Sequence, residues 1–289
     1  MLTIEQITTR YNEKFTIYES LKHEVESLIK KLLVIDKIIY QNIASRVKTL
    51  NSVQIKFREK HYNEFTQLTD FLGIRIITYT LSDVEKVCKT IESNFNVIEI
   101  IRFKDRLESS AKVGYLSIHL ICKFSDERIR LTEYSQYNNM VFEIQIRTIL
   151  QHAWAEIEHD KYKFEGDFPP DIKRRFDVLS ATLELVDYEF DTISKLKEEY
   201  TADIYSKTQK RDLHIPINTI SIAEYLRDKL KDIPEIHPNF GRLEDRSADL
   251  IAELSRFGIQ YINQLDALIE EKYFRDLKKL VQNDYVNYG

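Results

Sequence analysis

VFEIQIRT, residues 141–148, is the stretch on which the reading of this chain turns. Phe142, Ile144 and Ile146 are apolar and alternate with Val141, Glu143, Gln145 and Arg147. A strand turns successive side chains to opposite faces. The segment therefore presents one apolar face and one row of a carboxylate, an amide and a guanidinium. Such a row suits a metal ion and phosphate oxygens. A half-exposed strand with a solvated outer face carries the same pattern, so the neighbouring segments have to decide.

Working outward, GIRIITYT (73–80) is rich in β-branched residues and predicts a buried strand. LSDVEKVCKTIESNF (81–95) predicts an amphipathic helix capped by Ser82, with Glu85 three residues on. NVIEIIRF (96–103) and GYLSIHLICKF (114–124) predict two more strands, separated by a charged loop at 104–112. Upstream, residues 1–33 have helical spacing, and 38–63 predict a second helix broken near Ser45. Downstream, ILQHAWAEIEHDKYKF (149–164) predicts a helix, and a long one follows Pro169–Pro170 to about Tyr200. A polar stretch at 201–216 resembles a linker, and 217–289 predicts several short helices. The fold class is α/β, a mixed sheet flanked by helices with a helical C-terminal region, divided as 1–200 and 201–289.

Composition narrows the function. A chain of 289 residues with 43% apolar and 31% charged residues builds a substantial core. No apolar run approaches the roughly 20 residues that span a bilayer, and the first residues lack a secretory layout, so no membrane partner is expected. Cys88 and Cys122 are the only cysteines, too few for a disulfide framework or a zinc site, which points to a reducing, cytoplasmic setting. A net charge of −5 argues against bulk coating of nucleic acid, though not against a local basic site. None of the six glycines forms a dinucleotide-binding or Walker loop, so a nucleotide would be held mainly by side chains.

Four constellations carry chemistry. In RVKTLNSVQIKFREK (46–60), Lys48, Ser52 and Lys56 are spaced by four and would form one stripe of a helix, with Arg46 beside it. That is a cradle for polyphosphate or an ordinary basic helix face. Asp70 precedes the strand that carries Arg75, and paired with Glu143 it would hold Mg²⁺, which takes few protein ligands. In GYLSIH (114–119), Tyr115, Ser117 and His119 share a face, and Tyr115 suits a nucleobase. After Arg147, His152 and Glu156 lie four apart with His159 beyond. This is no zinc-protease pattern, and a supporting role behind Glu143 and Arg147 is expected.

Together these motifs resemble the synthetase domain of the RelA/SpoT family, the alarmone pyrophosphokinases. The resemblance runs from Arg46 to Lys163 through R-x-K-x-x-x-S-x-x-x-K (46–56), D-x-x-G-I-R (70–75), G-Y-x-S-I-H (114–119), E-I-Q-I-R-T (143–148) and H-A-W-A-E-I-E-H…Y-K (152–163). The AEIEH form is similar to the small, single-function synthetases. The resemblance implies a β-polymerase-like nucleotidyltransferase fold. It also implies transfer of the β,γ-pyrophosphoryl group of ATP to the 3′-hydroxyl of GDP or GTP, with Mg²⁺. By position, Arg46, Lys48, Ser52, Lys56 and Arg75 fall on the ATP side. Asp70 and Glu143 match the metal-binding and catalytic acids. Lys112, Tyr115, His119, Gln145 and Arg147 match the acceptor side.

Two departures matter. The family's manganese-dependent hydrolase signature is not found ahead of Arg46, and His159–Asp160 lies inside the synthetase match, so no hydrolase activity is expected. The loop usually written K-D-Y-I…P-K-x-N-G-Y reads KDRLESSAKVGY here (104–115), which bears on the acceptor. A tRNA 3′-end is the competing acceptor, as in toxins of the family, with a basic patch at Lys173, Arg174 and Arg175 and an antitoxin as partner. A silent nucleotide-binding scaffold is the third reading. The apolar positions Leu250, Ile251, Leu254, Phe257, Ile259, Ile262 and Leu265 would serve homo-oligomerisation or pack on the long helix.

Overall fold

The computed structural model describes residues 2–102, 117–161, 169–231 and 243–269, with 272, 273, 276 and 279. In chain order the elements begin α1 (Ile4–Ile35), β1 (Tyr40–Val47), α2 (Leu50–Lys60), β2 (Leu72–Thr78) and α3 (Leu81–Asn94). There follow β3 (Phe95–Arg102), β4 (Ile118–Phe124), α4 (Asp126–Ile129), β5 (Phe142–Thr148) and α5 (Ile149–Lys161). The chain continues through α6 (Pro170–Gln209), α7 (Thr219–Lys229), α8 (Leu243–Arg256) and α9 (Ile262–Leu268). By internal contacts the chain divides into Met1–Thr192 and Ile193–Gly289, a division that falls within α6.

The first unit holds the expected mixed sheet flanked by helices, in the strand order β1-β2-β5-β4-β3. Only β2 and β5 run parallel; the other neighbours are antiparallel. Ile74 and Ile76 face Ile144 and Ile146 across the parallel pair, and all four are buried. Each such side chain stabilises the fold by about 1.5–3 kcal/mol. Helices α1 and α3 pack against the sheet. Helix α1 aims Leu21, Val25, Ile29 and Leu33 into the core at steps of four, a spacing that keeps one helix face apolar.

The second expected helix, 38–63, is a strand followed by a helix. The inward row of β1 is Ile43, Ser45 and Val47, and Ser45 is polar because its hydroxyl donates to Glu26 of α1. That leaves the two apolar residues four apart, which imitates helical spacing. The cap of α3 is Thr80, whose hydroxyl accepts from the Asp83 amide at 3.2 Å, and not Ser82. The Ser82 amide donates instead to Asp191 at 2.7 Å. The expected linker at 201–216 is helix as far as Gln209, with Ile204 and Thr208 buried. Its charged residues occupy the exposed positions of the turn.

The second unit is helical, with its own core of Ile204, Ile215, Ile222, Tyr225, Leu254, Ile262 and Leu265. Ile251 and Ile259 pack against that core, whereas Leu250 and Phe257 are exposed. Most of the apolar stripe noted in the sequence is thus explained by packing within this unit. Among the described residues no helix is long and apolar enough to cross a membrane.

Candidate active site

One face of the sheet carries Arg46, Arg75, His119, Glu143, Gln145 and Arg147. Register pairs point the same way, so two rows can be read across the strands. Arg46, Gly73, Glu143 and Ile121 form the first, and Ala44, Arg75, Gln145 and His119 the second. Arg147 pairs with Ile77 one step further along β5. Ile77 and Ile121 are buried on this face, beside Arg147 and Glu143, and remove water from both.

A continuous hydrogen-bond chain runs along the row. Arg147 Nη2 donates to Gln145 Oε1 at 2.7 Å, and Gln145 Nε2 donates to Glu143 Oε2 at 2.8 Å. Glu143 Oε1 lies 2.8 Å from His119 Nδ1, and His119 Nε2 lies 2.8 Å from Ser117 Oγ. An ionised Glu143 can only accept in the bond to Nδ1, so the carboxylate and the Ser117 hydroxyl hold the two ring nitrogens between them. Burial pushes the Glu143 carboxyl pKa up, but the His119 and Gln145 bonds outweigh it and hold the value below the ordinary one. Asp70 is close enough to oppose that shift with its own charge.

Asp70 stands just before β2 and is held by two lysines. Lys48 Nζ and Lys56 Nζ both lie on its Oδ2, at 2.7 and 2.5 Å. Lys48 is not on the helical stripe expected of it. It precedes the Thr49 cap of α2, and its amide extends the β1–β2 ladder by donating to Phe71 O at 2.8 Å. Lys56 comes from within α2, so strand and helix converge on one carboxylate. Burial raises the Asp70 pKa, and the two lysines more than reverse it, leaving the group ionised. Asp70 Oδ1 is buried without a hydrogen bond. Such an oxygen is the donor that a hard cation or its water takes. Among the described residues no group of three or more His, Cys, Asp or Glu could hold a metal. A cation here would therefore draw its remaining ligands from water and phosphate.

Between Arg46 and Glu143 the row is interrupted by Gly73. A Cβ there would meet nothing within 4 Å, so the glycine leaves an open seat beside Glu143. Arg46 is exposed at the seat's β1 side. Ser52 is committed to the start of α2, its hydroxyl 2.9 Å from that of Thr49. His152 and Glu156, expected behind Glu143 and Arg147, take partners other than Glu143 but lie near enough to Arg147 for their charges to interact with it. Glu156 Oε1 lies 2.7 Å from Arg75 Nη1 and 3.6 Å from His152 Nδ1. Burial and the neighbouring Arg75 push the Arg147 pKa down to about 10, against the opposing pull of Glu156 and Glu143. Lys112 and Tyr115 lie outside the described residues.

The sequence reading missed the corner that carries α5. Thr148 and Gln151 cap each other, the Thr148 amide to Gln151 Oε1 at 2.9 Å and the Gln151 amide to Thr148 Oγ1 at 3.1 Å. The T-x-x-Q spacing of a capping box was there to be read. Its third member, Asp187 of α6, accepts from Thr148 Oγ1 at 2.6 Å and is 1% exposed. Nothing local in the sequence marks that residue.

Comparison with known proteins finds relatives of this chain and of its fold. A family model described as a region found in RelA / SpoT proteins matches residues 45–167. GTP pyrophosphokinase YwaC of Bacillus subtilis (strain 168) is 30% identical over 165 residues, 55% of this chain and 74% of that protein. GTP pyrophosphokinase YjbM of the same organism is 28% identical over 173 residues, 58% of this chain and 78% of that protein. The crystal structure of small alarmone synthetase 1 from Bacillus subtilis superposes with a TM-score of 0.55 at 24% identity, covering 66% of this chain and 98% of the other. At this identity and coverage the chain belongs to the RelA/SpoT family, and its fold is similar to that of a small alarmone synthetase.

Proposed function

We propose that this protein is an ATP-dependent pyrophosphokinase that moves the β,γ-pyrophosphoryl group of ATP to the 3′-hydroxyl of GDP or GTP. The observation that carries this reading is the pair of ionised acids, Asp70 and Glu143, set beside the Lys48–Lys56 clasp and the open seat over Gly73. In the transfer, the acceptor oxygen bonds to the β-phosphorus, and the bond from that phosphorus to the α,β-bridging oxygen breaks. AMP leaves with that oxygen, and the hydroxyl proton goes to Glu143.

Catalysis of this kind rests on positioning and on neutralising the transferred charge. Lys48, Lys56 and Arg75 offset the charge of the phosphate chain in this reading, with the Ser52 hydroxyl at the start of α2 and the Arg46 guanidinium beside them to stack on the base. Gln145 and His119 hold Glu143, Arg147 orients Gln145, and by the family resemblance these residues belong to the acceptor side with Lys112 and Tyr115. Asp70 and Glu143 would hold Mg²⁺, Asp70 through its buried Oδ1, and the ion would supply further neutralisation of the phosphate charge. That the Asp70 carboxylate is already held by two cations makes its exchange onto a metal part of nucleotide binding.

A second reading keeps the donor and changes the acceptor to the 3′-end of tRNA. What favours it is the departure of the 104–115 loop from the family pattern and the exposed run Lys173, Arg174 and Arg175 at the start of α6. One experiment tests both. Gamma-labelled ATP is offered with GDP, GTP, ATP and bulk tRNA, and the labelled acceptor is identified. Label on GDP or GTP is the expected result, label on tRNA selects the second reading, and label on no acceptor removes both.

A further inference from the structure

Within the first unit, helix α6 is fastened by polar residues. Its buried positions there are Ser180, Asp187 and Asp191. Asp187 accepts from Thr148 Oγ1 at 2.6 Å, and Asp191 from the Ser82 amide at 2.7 Å. The apolar residues point the other way, with Val178, Leu179 and Leu185 exposed by 58, 53 and 61%. At about 3.6 residues per turn these three fall opposite the buried trio. A surface helix ordinarily does the reverse, and an apolar face turned outward marks a contact.

The sequence of that face says what covers it. RFDVLSATLELVDYE, residues 175–189, reads much the same from either end, with Thr182 at the middle. Leu179 and Leu185 stand three residues to either side of Thr182, and Val178 and Val186 four. Arg175 and Glu189, seven residues to either side and both exposed, carry opposite charges. All seven positions share one helix face. Two such helices packed antiparallel about a twofold axis through Thr182 set each residue opposite its counterpart. Leucine then meets leucine, valine meets valine, and Arg175 meets Glu189 of the partner subunit. One patch serves both copies, as a closed twofold interface requires. A parallel pair would instead set arginine on arginine and glutamate on glutamate. Thr182 is suited to the axis, because its hydroxyl donates to Val178 O at 2.8 Å and needs no partner across the seam.

We propose that the outward face of α6 from Arg175 to Glu189 docks on the same face of a second copy of this chain, antiparallel about Thr182. The contact between copies thereby lies on α6 and not on the apolar stripe of α8 and α9, most of which packs within its own unit. The seam occupies the same turns as Asp187, which holds Thr148 next to Arg147, so pairing braces that corner of the active face.

Sedimentation velocity of the full chain across a wide range of concentration tests the proposal. Wild type should form a dimer. Leu185→Glu places a charge in the seam twice and should weaken association by about tenfold or more. Arg175→Glu sets like charges together and should weaken it by roughly three- to tenfold, and Arg175→Glu combined with Glu189→Arg should restore it. Under mild oxidation Thr182→Cys should link two copies through a disulfide, since the residue on the axis meets itself, whereas Glu189→Cys should not. Cys88 and Cys122 are buried and stay out of that reaction. A chain that remains monomeric at every concentration overturns the proposal, as does an assembly of any size that Leu185→Glu leaves intact. Equal cross-linking at 182 and 189, or a double charge reversal as weak as the single one, refutes the antiparallel register. The substituted positions are exposed, so circular dichroism and thermal unfolding of the variants should match wild type, which separates lost pairing from lost fold.

Discussion

Lys48 and Lys56 meet on one oxygen, their ammonium nitrogens 2.7 and 2.5 Å from Asp70 Oδ2, although one comes from the end of a strand and the other from a helix. Asp70→Asn would keep the shape of this clasp and remove its charge. Turnover should fall by roughly 10²–10³-fold, the usual cost of deleting one preorganised electrostatic partner. The circular-dichroism spectrum should stay that of wild type. Initial rates with ATP and GDP check it, and near-full activity in the amide variant would take Asp70 out of the chemistry.

Gly73 is the gap in a row whose other members are Arg46, Glu143 and Ile121. Because an added Cβ meets nothing within 4 Å, Gly73→Val should fold at least as stably as wild type, valine being the better strand former. It should nevertheless lose most of its activity, since the branched side chain fills the seat beside Glu143. Melting temperature and kcat/KM, measured on the same sample, should move apart. A variant with unimpaired kcat/KM would show that substrate lies elsewhere.

Arg147 fixes the Gln145 amide by donating to its oxygen, which turns the amide nitrogen toward Glu143. Lysine has no planar fork to do this. Arg147→Lys should therefore cost about 10–100-fold in kcat, as the loss of an orienting partner behind a reactive carboxylate does. The binding of ATP should change less. Steady-state kinetics separate the two, and a fall in affinity alone would assign Arg147 to binding.

How far the sequence carried depends on the range of each interaction. The row of β5 and the strand β4 were legible because period-two alternation is written locally, and β2 because β-branched residues crowd it. β1 was read as helix because Ser45, on its inward face, answers to Glu26 nineteen residues earlier on α1. The sequence places Lys48 and Lys56 on phosphate and Asp70 with Glu143 on a metal, so the clasp is a finding of the structure, and Lys48 does not lie on the helical stripe expected of it. The β1–β2 ladder delivers Lys48 instead. Glu156 was assigned behind Glu143 and Arg147, since spacing on α5 alone cannot show that Arg75, on β2, is its ion-pair partner.

The corner beyond Arg147 offers a stability test. Thr148 is fully buried, accepts from the Gln151 amide and donates to Asp187. Thr148→Val matches its shape and deletes both bonds. The loss of buried partners should lower stability by about 1–3 kcal/mol. Thr148→Ser, which keeps the hydroxyl, should recover most of it. Urea unfolding of the three proteins decides, and equal stability of the valine variant would show that the corner is held by packing alone.

The second unit should be stable only within a window of pH. Tyr225 OH donates to Asp266 at 2.8 Å, and Lys229 Nζ lies 2.7 Å from the same carboxylate oxygen. Burial raises the Asp266 pKa, but the bonds from Lys229 and Tyr225 hold it below its ordinary 3.8. Its contribution is thus present above 3.8 and is lost as pH falls through the lower folded value. For Tyr225, burial and then the Asp266 carboxylate raise the phenol above its ordinary 10.0. That contribution is complete below 10.0 and is lost as pH rises through the higher folded value. Tyr225→Phe should cost about 1.5–3 kcal/mol, the range for a hydrogen bond to a charged group. It should also remove the alkaline loss that this phenol causes. Hydrogen exchange of the α7 amides, corrected for intrinsic rate at each pH, reads both limbs, and an unaltered alkaline limb in the variant would place its cause outside this pair.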